Sequence, residues 1–104
     1  MYKRQIENLS DIAPDLARYI IEFAFGQIYE RPGLSLQERE LLTLSSLLTA
    51  GGCEAQLQVH INAALHVGIK EEKIIEAFLH CIPYTGFPKV LNAVAVAGQI
   101  FSGK

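Results

Sequence analysis

From Ser35 to Ala50 the apolar residues recur at helical spacing. At about 100° per residue, Leu36, Leu44, Leu47 and Leu48 share one side of a helix. Glu40 falls among them, whereas Glu38 and Arg39 fall outside the stripe. A second stretch, opening at Cys53 and running to about Val67, separates its residues as sharply. Glu54, Gln58, Asn62 and His66 form a polar stripe, and His60 lies instead among Leu57, Ala63, Ala64 and Val67. Each helix therefore carries one ionisable group inside an apolar face. Such groups are costly to bury unless they are paired or functional.

The same reading gives five helices and no strand, an all-α domain. The first runs from about Pro14 to Tyr29, with Pro14 suited to a first helical turn because its missing N–H has no partner there anyway. Its apolar residues (Leu16, Ala17, Ile20, Ile21, Ala24, Phe25 and Ile28) cover more than half the circumference, so it is expected to pack on two sides, one of them against another subunit. Glu30 to Gly33 is a turn. Ser35 and Glu38 have capping-box spacing at the start of the second helix, and Gly51-Gly52 ends it. Gly68 is placed to cap the third helix in a left-handed conformation. A fourth helix spans about Lys70 to Ile82, with Ile74, Ile75, Phe78, Leu79 and Ile82 on one face, and Pro83 stops it. Pro88 opens the last helix, whose small residues Ala93, Ala95, Ala97 and Gly98 would let a neighbouring backbone come close.

Composition narrows the function classes. The chain has 104 residues, which suggests one domain. Half of them are hydrophobic and only 19% are charged, so surplus apolar surface is expected to end in a homo-oligomer interface. The net charge of −2 is spread without a basic patch, which argues against nucleic acid as a partner. No apolar run approaches the roughly 20 residues that span a bilayer, and the N-terminal stretch lacks a signal-peptide core. Two cysteines, Cys53 and Cys81, make neither a disulfide framework nor a metal cluster. A cytoplasmic protein with reduced thiols is the expectation.

Glu40 and His60 are the leading candidates for chemistry, as a carboxylate and an imidazole able to move protons. Cys53 opens a helix, where a thiol gains reactivity, but Gln56 stands where a C-x-x-C motif would need its second cysteine. Cys81 falls on an apolar face and reads as core. Arg39 is a candidate for holding a substrate carboxylate. Tyr84 is either a phenol in a pocket or a packing residue of its turn. His66 and His80 lie on polar faces and read as solvated.

Three segments, RPGLSLQERELLTLSSLLTAGG, QLQVHINAALHVGIKEEKIIEAFLH and YTGFPKVLNAVAVAGQIF, cover roughly residues 23–101. In combination they resemble the carboxymuconolactone decarboxylase family, within the alkylhydroperoxidase D-like superfamily. The resemblance implies an all-α fold assembled into trimers or hexamers, with active sites near subunit contacts. The redox branch of that superfamily uses an acid, a C-x-x-C pair and a following histidine. His60 matches that histidine, Cys53 the first cysteine, and Glu40 the acid if the Gly51-Gly52 loop carries one extra residue. With Gln56 in place of the second cysteine, the pattern is closer to the decarboxylase branch. The resemblance then implies decarboxylation of a small lactone acid with no cofactor and no metal, because the unsaturated ring is its own electron sink. His60 would donate the proton, Glu40 would orient it, and Arg39 would hold a second carboxylate. The alternatives are a thiol-dependent peroxidase of the alkylhydroperoxidase or peroxiredoxin type using Cys53, and a non-catalytic binding protein on the same scaffold. The family often has Ser or Thr at the position of Lys70, so that helix cap is expected to be weak.

Overall fold

The computed structural model describes residues 3–103, and every regular element in them is helical. In order these are α1 (Lys3–Ile12), α2 (Pro14–Tyr19), a π-helical stretch (Ile20–Ile28), α3 (Leu36–Ala50), α4 (Glu54–His66), α5 (Glu71–His80), α6 (Ile82–Thr85) and α7 (Phe87–Ser102). None of the described helices is long and apolar enough to cross a membrane. The chain divides into two compact units, residues 1–36 and 37–104.

In the first unit, α1 is a helix that the apolar pattern did not single out. It is separate from α2 because Pro14 disfavours helical backbone at the residue before it. Ala13 accordingly has φ −144° and ψ 75°. The expected helix from Pro14 to Tyr29 is present as two geometries in series. After Tyr19 the turn widens, and the Tyr29 N–H reaches back five residues to the Ala24 carbonyl at 2.9 Å. Gly26 sits inside this stretch, where an added Cβ would lie 3.2 Å from the Ile21 carbonyl oxygen. Of the apolar residues expected to pack, Ala17 is buried, while Leu16, Ile21 and Ile28 are exposed on the single chain.

The second unit holds a continuous core of Leu44, Leu48, Leu57, Ile61, Ala64, Ile69, Ile74, Phe78, Cys81, Val90, Ala93 and Ala97. Its close backbone approaches are those of α4, α5 and α6 with α7; α3 joins mainly through side chains. Ala93 and Ala97 are fully buried, as small residues at a close approach should be. Gly98 points away from it, with no heavy atom within 4 Å of an added Cβ. The stripe on α3 also needs one correction: Leu36 is 49% exposed, so the buried face begins at Glu40.

Helix ends follow backbone chemistry. Gly51, Gly52, Gly68 and Gly86 all have positive φ. At the end of α4 the Gly68 N–H donates to Leu65 O (3.1 Å) and the Ile69 N–H to Ala64 O (3.0 Å). This pair of bonds is the Schellman motif, and Ile69, just past the turn, is 4% exposed in the core. Lys70 caps α5 without any side-chain bond, as expected. The fourth helix is shorter than its pattern suggested: it stops at His80, and Pro83 lies in the first turn of the short α6 rather than in a loop.

Candidate active site

Glu40 sits in the second turn of α3, between Leu36 and Leu44, and is 4% exposed. His60 sits midway along α4. Its neighbours at helical spacing, Leu57, Ala63 and Ala64, are all buried, while Glu54, Gln58, Asn62 and His66 are all exposed. The polar stripe of α4 thus faces solvent, and His60 is turned towards α3. His60 Nδ1 and Glu40 Oε1 are 3.1 Å apart, with side-chain exposures of 17% and 5%. A carboxyl oxygen on Nδ1 favours the imidazole tautomer that carries its proton there. Glu40 is a buried carboxyl in an apolar setting, and the imidazole gives it a hydrogen-bond partner.

The other candidates are not gathered at this pair in the same way. Arg39 is half-buried, and its backbone carbonyl accepts from Thr43 Oγ1 at 2.9 Å. Cys53 is the N-cap residue of α4, half-buried, and its thiol donates to the Gly51 carbonyl at 3.4 Å. It is therefore less buried than a core cysteine. Gln56, one turn on, is exposed. Cys81 is in the core at 7% exposure, donating to Ala77 O. Tyr84 is 78% exposed on α6, so on this chain it neither lines a pocket nor packs within its turn. Its ring lies 5.7 Å from that of His80, itself exposed. A groove of about 340 Å³ opens between α4 and α7, lined by Gln58, Asn62, Leu65, Val96 and Gln99 among others. It lies on the polar side of α4, away from His60. Among the described residues no three His, Cys, Asp or Glu side chains are grouped as metal ligands would be.

Two residues that the pattern did not mark tie α3 to its neighbours. Gln37 Nε2 donates to the Val67 carbonyl at 2.8 Å, and Lys89 Nζ donates to the Thr49 carbonyl at 2.9 Å. The stem of Lys89 lies across Gly51, 3.2 Å from where a Cβ would be. Gln37 precedes Glu40 by three residues and so lies near it on the helix, but nothing in the sequence marks the carbonyl it reaches.

The helical domain thus brings a buried carboxyl and an imidazole together, the kinds of group that proton transfer uses. The chain belongs to the carboxymuconolactone decarboxylase family, whose model matches residues 14–99. It is 36% identical over 98 residues to the 4-carboxymuconolactone decarboxylase of Acinetobacter baylyi, covering 94% of this chain and 72% of that protein. It is 38% identical over 77 residues to the nitrosuccinic acid decarboxylase npaB of Metarhizium robertsii, covering 74% of this chain and 53% of that protein. The match to this second relative therefore spans only about half its length.

Proposed function

We propose that this chain is a decarboxylase of small dicarboxylic acids that carry their own electron sink, acting by proton transfer from His60 held by Glu40. The observation that carries the reading is the 3.1 Å contact between Nδ1 of His60 and the 4%-exposed Glu40. The two acids in the relatives' names share the relevant chemistry. In 4-carboxymuconolactone the departing carboxylate is on the γ carbon of an unsaturated lactone. In nitrosuccinic acid it is on the carbon that bears the nitro group. In each, the C–C bond to the carboxylate breaks, CO2 leaves, and the electron pair passes to oxygen, as a dienolate or a nitronate. What remains for a protein to do is stabilise that oxygen and protonate carbon. His60, doubly protonated, gives its Nε2 proton to carbon and is left as the neutral Nδ1–H imidazole bonded to Glu40; solvent restores the proton. Each acid also keeps a second carboxylate, which Arg39 is the nearest cation in sequence to hold.

A direct assay tests this. The purified chain should release CO2 from 4-carboxymuconolactone without added cofactor, and Cys53→Ala should do so at the parent rate. Absence of turnover of both acids by a folded protein would remove the reading. Loss of turnover in Cys53→Ala would redirect it to thiol chemistry.

A further inference from the structure

Among the described residues, two side-chain ties cross the seam between α3 and α4. One is Glu40 to His60. The other is the 2.8 Å bond from Gln37 Nε2 to the Val67 carbonyl. Gln37 lies three residues before Glu40, about 60° around α3, and Val67 follows His60 by seven, within about 20° around α4. Both ties therefore lie along the same seam, one turn apart on α3.

The acceptor is made available by the helix end. Val67 is the C-cap residue of α4, and the Schellman bonds that close this end use the carbonyls of Leu65 and Ala64. The Val67 carbonyl takes the Gln37 amide. Gly68 leaves the space: its φ is +94°, and a Cβ there would lie 3.3 Å from Gln37 Nε2. The tie matters because α3 makes no close backbone approach of the kind α4 makes with α7. At 3.1 Å the Glu40–His60 contact is already longer than the roughly 2.7–2.9 Å of a strong charge-assisted bond. A small slide of α3 along α4 would break it.

We infer that Gln37 is a positioning residue: by pinning the first turn of α3 to the end of α4, it keeps Glu40 on Nδ1 of His60 and so selects the imidazole tautomer. The effect on turnover rests on the proton-transfer reading above; the effect on the tautomer does not. The test uses the full chain with Gln37→Met, which keeps the shape and loses the donor, and Gln37→Lys, which restores one. Nitrogen-15 NMR of the imidazoles, with the His60 signals assigned by their loss in His60→Ala, reads the tautomer. CO2 release from the lactone acid reads kcat and KM. In Gln37→Met the Nδ1–H share of the neutral His60 imidazole, the form left after proton transfer, should fall, and kcat should fall about three- to tenfold with KM unchanged. Gln37→Lys should recover both. A parent that turns over no lactone overturns the decarboxylase reading and leaves the tautomer to decide this one. A parent-like tautomer in Gln37→Met, or equal departures in the Met and Lys variants, overturns the positioning role. So does unfolding of Gln37→Met by circular dichroism, which would make the tie a stability element.

Discussion

At the scale of single residues, a buried Glu–His pair is a poor way to gain stability. Its attraction roughly offsets the cost of taking both groups out of water, whereas losing one partner strands the other. Two variants follow from this. His60→Ala leaves the Glu40 carboxylate at 4% exposure without its imidazole, and should lower unfolding free energy by about 3–5 kcal/mol in urea titrations. The double variant Glu40→Leu with His60→Leu should recover most of that loss, or exceed the parent, with no decarboxylation. A double variant as unstable as His60→Ala would show that the pair is structural. The sequence made this pair legible because each group interrupts an apolar stripe, and interruption of a regular pattern can be seen without coordinates. The Gln37 tie was not legible in the same way. An exposed glutamine at the start of a helix resembles any solvated residue until the carbonyl it reaches, thirty residues on, is placed in space.

Among the elements, the helices of the second unit were legible because their glycines and prolines punctuate the pattern: Gly51-Gly52, Gly68 and Pro88 fall where helices end or begin. Helix α1 escaped notice because its short run lies between polar residues and carries no clear cap. The π-helical stretch was illegible for a different reason. The side chains of Ile20–Ile28 are compatible with an α-helix, and only the backbone bonds reveal the wider turn. Two glycines, Gly68 just past the end of α4 and Gly98 inside α7, offer a matched test of how their surroundings act. Gly68→Ala should destabilise by about 1–2 kcal/mol, since alanine resists positive φ and its Cβ would press on the Gln37 amide. Gly98→Ala should stabilise by about 0.5–1 kcal/mol, because Gly98 is inside α7 with open space around it. Thermal melts of the two variants check both signs, and equal shifts would contradict this account of the helix ends.

On the whole molecule, apolar side chains remain on the surface of the single chain. Tyr84, Phe87 and Leu91, around the start of α7, are 78%, 66% and 64% exposed. Large exposed apolar side chains near one another in sequence suit an interface, and we propose that copies of the chain cover them in a homo-oligomer. Analytical ultracentrifugation should give a trimer or hexamer of the 11.5 kDa chain, reduced in mass by Leu91→Glu; a parent monomer would contradict the proposal. The same assembly would bring neighbouring residues towards the substrate, but the proposed proton donor and its carboxyl partner both lie within one chain, on α3 and α4. The most direct measurement is therefore kcat for CO2 release from 4-carboxymuconolactone by the parent, His60→Ala and Glu40→Gln, each checked for folding. Proton transfer by the pair predicts a fall of about 10²–10⁴ for His60→Ala and a clear but smaller fall for Glu40→Gln. Parent-like rates in both folded variants would show that the Glu40–His60 pair does not carry the reaction.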